Sequence, residues 1–181
     1  MSAQRIARCG LCCALLAVSA WVSIPLGPVP FTLQTLVLAM LPGVLAPREA
    51  VLTVATYLVL GVVGLPVFSN MMGGLGVILG PTGGFLWGFL IGMVAATAIV
   101  RIERLPQAVC DTLSRGVLLL ISYALGTVQL MIVGSLTLPA ALAAAVVPFV
   151  VPDAIKMAVG VVVARAVARA LPQGARHVSD R

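Results

Sequence analysis

An acid and a base stand three residues apart inside an apolar stretch, Pro148-Phe149-Val150-Val151-Pro152-Asp153-Ala154-Ile155-Lys156, and Lys156 is the only lysine of the chain. Three-residue spacing puts both side chains on one helix face. Together they offer an acceptor and a donor to a small ligand. A charge carried toward the centre of a bilayer costs about 2.5–3.5 kcal/mol on insertion scales, so such a pair calls for a functional reason. The competing reading is a self-contained ion pair, with Asp153 favoured at a helix N-terminus. That accounts for Asp153 but poorly for Lys156, a cation at the wrong end of the helix dipole.

Other chemistry is sparse. The single histidine, His177, lies in the polar C-terminal tail, and no HExxH, nucleophile elbow or metal-ligand cluster is present. An enzyme is therefore not expected, nor is a cofactor or a metal. Cys9-x-x-Cys12 has redox or metal spacing. The plainer reading is small apolar residues in a membrane helix. The glycine-rich segment 66–83 lacks the Gly-Lys-Ser/Thr of a phosphate loop.

The elements that must carry the pair are membrane helices. The 181-residue chain is 61% hydrophobic and 9% charged, with mean hydropathy +1.19, where a soluble domain carries roughly 25% charged residues. Six apolar runs fit spans near 6–24, 31–45, 50–65, 84–100, 113–133 and 152–171. The first follows Arg5 and Arg8 as a signal peptide would, yet it is long and lacks a clean cleavage site, so it reads as a span. Its small residues Ala3, Ala7, Gly10, Ala14 and Ala17 share one face, suited to close helix approach by a partner or by the same chain. Pro25 to Pro30 makes a stiff extended loop, and Thr32 is placed to cap the second span, with Gln34 an amide near its start. Segment 66–83 is apolar yet glycine-rich, which suits backbone lining a cavity. Gly84, Gly88 and Gly92 form a close-packing face. Residues 134–151 suit a short or re-entrant helix, and Pro152 a first helical position.

All ten arginines fall on one side of this six-span arrangement, and the loops near 25–32, 66–83 and 134–151 carry neither Lys nor Arg. The positive-inside rule then puts both termini in the cytoplasm of an inner-membrane protein. Glu49, Glu103, Asp111 and Asp180 sit among the cytoplasmic arginines, where a solvated or interfacial role suffices. The net charge of +6 is thus a topology signal, and without interleaved aromatics it does not indicate nucleic acid. The expectation is an all-α integral membrane protein: a single domain over 1–181, six transmembrane helices, a cytoplasmic tail at 172–181, and a ligand pocket near the outer face.

At this point the segments Ile24-Pro25-Leu26-Gly27-Pro28-Val29-Pro30-Phe31-Thr32-Leu33-Gln34-Thr35, Gly64-Leu65-Pro66-Val67-Phe68, Gly73-Gly74-Leu75-Gly76, Gly80-Pro81-Thr82-Gly83-Gly84-Phe85 and Pro152-Asp153-Ala154-Ile155-Lys156 resemble, in order, those of the BioY family. These are the biotin-binding S components of energy-coupling-factor vitamin transporters. The resemblance implies a biotin site near the outer surface, under the first and third loops, with Asp153 and Lys156 in contact with the ligand. It also implies a third-loop asparagine, here Asn70, beside Met71-Met72, which departs from the small residues expected there. Thr32, Gln34, Thr82 and the backbone N–H groups around Gly74 are further candidate contacts. The small-residue stripe Ala3, Ala7, Gly10 and Ala14 matches the family's docking face for the transmembrane T component. The implied partners are biotin, the bilayer, and an energy-coupling module of T component and ATP-binding subunits, or else self-association. The alternatives are an S component for another vitamin, such as thiamine or riboflavin, and a membrane assembly subunit with no ligand.

Overall fold

The computed structural model describes residues 3–101 and 106–170. The tail 172–181 with His177, as well as Glu103, Arg104 and Asp180, lies outside them. The described chain is mostly helical: α1 (Ala3–Trp21), α2 (Gln34–Val44), α3 (Pro47–Val62), α4 (Leu75–Leu79), α5 (Gly83–Val100), α6 (Gln107–Gly134), α7 (Leu138–Ala145) and α8 (Val150–Ala170). Helices α1, α5 and α6 are each long and apolar enough to cross a membrane. So is the α7–α8 pair taken together, bent by 45° at its break. The 11 residues of α2 span only about 16 Å at 1.5 Å per residue.

The proline-rich segment after α1 is extended, as its restricted φ angles require. It also pairs with itself: β1 (Ser23–Pro25) and β2 (Pro30–Thr32) form an antiparallel hairpin with Ile24 opposite Phe31. The glycine-rich loop folds into a 3-10 turn at Ser69–Met71 followed by α4. Gly74 enters α4 at φ 93°, a conformation only glycine adopts without strain. Asn70 and Met71 also take left-handed backbone, at φ 57° and 55°. Three side chains pin this loop. Trp21 Nε1 donates to the Pro66 carbonyl (2.7 Å), Tyr57 Oη to Val67 (3.0 Å), and Gln129 Nε2 to both Ile78 and Gly80 (2.8 and 2.7 Å).

The glycine face of α5 does what its spacing predicts. A Cβ on Gly84 or Gly88 would collide with the α6 backbone at Leu125 or Ser122, and one on Gly92 would press on Leu118. Helix α2 lies along α8, and Gly160 admits Leu36 and Ala39 there. The core runs through this bundle, with Leu16, Leu38, Val54, Tyr57, Met93 and Leu118 fully buried.

Three expectations change. Helix α8 starts at Val150, so Pro152 sits inside its first turn, where a missing N–H does no harm. The N-cap of α2 is Leu33, not Thr32; the Thr32 hydroxyl accepts from the Gln34 N–H only at 3.4 Å. Glu49 and Asp111 are buried rather than solvated. Asp111 bonds Arg115 (2.8 Å) and Arg165 (2.8 Å), and Arg115 Nε donates to the Ala39 carbonyl (3.1 Å). This ionic knot ties α2, α6 and α8 far from Asp153. A buried charge needs such partners, and the apolar flanking sequence conceals them.

Candidate ligand-binding site

Asp153 and Lys156 occupy the first and second turns of α8 and are both buried. They form an ion pair between Lys156 Nζ and Asp153 Oδ1. Each is further engaged. Asp153 Oδ1 also accepts from Thr35 Oγ1 (2.9 Å), and Oδ2 from Tyr123 Oη (2.6 Å). Lys156 Nζ donates to the Thr32 carbonyl (2.8 Å) and lies 4.1 Å from the centre of the Phe31 ring. The lysine at the wrong end of the dipole is thus held by the hairpin carbonyl and an aromatic face.

The inventory of lone pairs and protons shows what is left over. A carboxylate oxygen accepts about two hydrogen bonds and an ammonium donates three. Asp153 Oδ2 accepts one, and Lys156 has two polar partners. One acceptor position and one donor therefore remain at the base of the site, side by side on one helix face.

Both residues line a cavity. It measures about 610 Å³ to its mouth, of which about 60 Å³ is open to the centre of a water molecule. The larger figure includes the open mouth, so the enclosed space is a narrow crevice. The polar lining is Thr32, Gln34, Thr35, Ser69, Thr82, Ser122 and Tyr123 besides the charged pair, and the walls include Val29, Phe68, Phe85, Phe89 and Phe149. Phe149 stacks on Phe31 with centroids 6.3 Å apart, and Phe68 packs edge-on against Tyr57. Gln34 is oriented from both sides: Thr32 Oγ1 donates to its Oε1 (3.0 Å), and its Nε2 donates to Tyr57 Oη (2.7 Å).

The lining comes from the N-terminal ends of α2, α5 and α8, the later half of α6, the hairpin and the glycine loop. Arg5, Arg48, Arg115, Arg165 and Arg169 belong to the opposite halves of their helices, and Arg101 caps the far end of α5.

Of the residues singled out in the sequence, Asp153, Lys156, Thr32, Gln34 and Thr82 meet at this cavity. Asn70 and Gly74 do not line it; Asn70 is exposed, and its neighbour Ser69 takes the lining position. Ala3, Ala7, Gly10 and Ala14 are exposed on α1, whose buried face is instead Cys12, Cys13, Leu16, Ala17, Ser19 and Ala20. No disulfide joins any of the four cysteines among the described residues.

Sequence reasoning missed Thr35 and Tyr123, the two hydroxyls on Asp153. Thr35 had a signal, one residue from Gln34 in a polar patch. Tyr123 lies inside an apolar run, where the isolated polar tip of an aromatic was the only cue.

Comparison with known proteins agrees over most of the chain. The BioY family model matches residues 1–173. The biotin transporter BioY of Thermotoga maritima is 45% identical over 124 residues, 68% of this chain and 72% of that protein. BioY of Rhodobacter capsulatus is 36% identical over 127 residues, 68% and 67% of the two chains. The probable biotin transporter BioY of Pyrococcus horikoshii is 40% identical over 96 residues, 53% and 59%. Among solved structures, the S-component for biotin from an ECF-type ABC transporter has the same fold, with TM-score 0.79 and 23% identity over 93% of this chain and 95% of that one.

Proposed function

Since the chain belongs to the BioY family, a family of transporters rather than enzymes, we propose that it is a biotin-binding S component that takes up the vitamin across the cytoplasmic membrane. The observation that carries this is the open acceptor on Asp153 beside the open donor on Lys156, at the base of a cavity with aromatic and aliphatic walls. A ureido ring presents N–H and C=O groups next to each other, which matches that acceptor and donor. Charge-assisted bonds of this kind are the strong ones. The bicycle and valeryl chain suit the apolar walls.

Thr32, Gln34 and Thr82, with Thr35 and Tyr123 added, are the further polar groups in reach. Asn70 and Gly74 belong to the glycine-rich loop whose Phe68, Ser69 and Val77 line the cavity, and remain candidate contacts from that loop. The helices make six crossings with α2 and α3 as short ones and both termini cytoplasmic. This puts the cavity on the outer side, a reading supported by the placement of the arginines at the opposite helix halves. The exposed stripe Ala3, Ala7, Gly10 and Ala14 docks on the transmembrane T component of an energy-coupling module, and its exposure supports that role over internal packing.

The test is ligand-induced stabilisation of the purified chain in detergent. Biotin at 100 times its dissociation constant adds about 2.7 kcal/mol. Stabilisation by thiamine or riboflavin but not by biotin would move the chain to a sister specificity. No stabilisation by any vitamin would leave an assembly subunit.

A further inference from the structure

A second groove, about 440 Å³, runs between the start of α3 and the end of α5, at the arginine-bearing end of the bundle. Its walls are Val51, Leu52, Val94 and Ala98, and Leu52 and Val94 are half exposed, so the groove opens onto the outer apolar surface of the helices. Arg48 and Arg101 border it. Both are exposed, and among the described residues neither has a hydrogen-bond or ion-pair partner.

No carboxylate among the described residues offsets them. Glu49, next to Arg48 in sequence, is buried and engaged elsewhere, accepting from the Ala46 N–H (3.2 Å) and pairing with Arg5 (3.5 Å). Asp111 is held by Arg115 and Arg165. Among the described residues, two uncompensated guanidinium groups therefore stand at the end of an apolar slot that opens onto the outer surface of the helices.

We propose that this groove binds an anionic phospholipid of the cytoplasmic leaflet. Its phosphate sits against Arg48 and Arg101, and an acyl chain lies along Val51, Leu52, Val94 and Ala98. Guanidinium groups match phosphate oxygens in paired hydrogen bonds. Basic pockets between helices at the cytoplasmic surface are suited to such headgroups. The inference needs only that this end of the bundle lies at headgroup depth; it does not depend on what fills the cavity at Asp153.

The test is lipid retention. The full chain is reconstituted in phosphatidylcholine nanodiscs doped with phosphatidylglycerol, released into detergent, and its bound lipids are counted by native mass spectrometry. The wild type is expected to retain phosphatidylglycerol in preference to phosphatidylcholine. The double variant Arg48→Gln/Arg101→Gln is expected to lose roughly thirtyfold of that preference, from two surface cations. Ala98→Phe, which narrows the slot and keeps the charges, is expected to lose it as well. Thermal melting identifies any variant that fails to fold, and Arg48→Lys/Arg101→Lys, which keeps both charges, is expected to retain part of the preference. Equal retention of the two lipids by wild type overturns the proposal. So does wild-type preference in the double glutamine variant, or in Ala98→Phe. Complete displacement of phosphatidylglycerol by millimolar inorganic phosphate would mean a free-anion site, and overturns it too.

Discussion

Asp153→Asn separates the two roles that the Asp153–Lys156 pair can play. The substitution keeps an acceptor for Tyr123 or Thr35 but removes the charge facing Lys156. Removing one partner of a buried ion pair costs about 3–5 kcal/mol, because the other charge is left uncompensated. Here Lys156 keeps the Thr32 carbonyl and the Phe31 ring, so the loss should fall near the lower end, about 3 kcal/mol. Adding Lys156→Met removes the stranded cation, and replacing a buried ion pair with uncharged groups is often neutral or better. The double variant Asp153→Asn/Lys156→Met should therefore recover most of the lost stability. Binding should behave differently. Each charge-assisted hydrogen bond to the ligand is worth about 1.5–3 kcal/mol, or roughly 10- to 150-fold in affinity. Both variants should thus bind biotin at least tenfold more weakly, including the one with restored stability. Stability is read by chemical denaturation in mixed micelles, and affinity by titration with labelled biotin. A double variant that is stable and binds biotin as the wild type does would refute the ligand role and leave the pair purely structural.

Further substitutions test the scaffold. Gly88→Ala should cost about 1–3 kcal/mol by overpacking, since its methyl group would meet the Ser122 backbone; denaturation midpoints check this. Arg115→Met should cost about 3 kcal/mol as a broken buried pair, moderated because Asp111 keeps Arg165. Biotin affinity of the folded fraction should not change, which titration at low temperature will read. Tyr57→Phe strands the Gln34 amide and frees the Val67 carbonyl, a loss of about 1–3 kcal/mol. It should appear as faster hydrogen exchange over residues 64–74 while the ends of α5 stay protected.

The sequence was most legible where one residue type has one physical use. The prolines of 25–30 forced extended backbone, the glycines of α5 marked a close helix contact, and the isolated pair at 153 and 156 marked residues that line a cavity. Pairing of the extended segment into a hairpin was not legible, because strand pairing depends on which backbone groups meet in space. The ionic knot at Asp111, Arg115 and Arg165 was missed because arginines near helix ends look interfacial in one dimension. Only the folded arrangement of α2, α6 and α8 buries Asp111 and Arg115 and brings the exposed Arg165 to them. Tyr123 was missed for a related reason: 30 residues separate it from Asp153, and nothing local ties a tyrosine in an apolar run to a distant acid. The loop residues Asn70 and Gly74 show the limit from the other side, since a motif gives residue identity without saying which neighbour turns inward.

Helix α8 is fastened at two levels. Near its start, Asp153 and Lys156 bind it to α2, α6 and the hairpin; near its end, Arg165 binds it to α6. The 12-residue step from Asp153 to Arg165 corresponds to about 18 Å of helix. Between the two fastenings, Gly160 presses directly on α2 at Leu36 and Ala39. A rod pinned near both ends and supported at its middle cannot rock freely. Any shift imposed at the cavity must either rotate the rod about the Gly160 fulcrum, straining the Arg165 pin, or be taken up as bending of the helix. The contact at Gly160 thus sets the mechanical advantage between the two ends of the molecule.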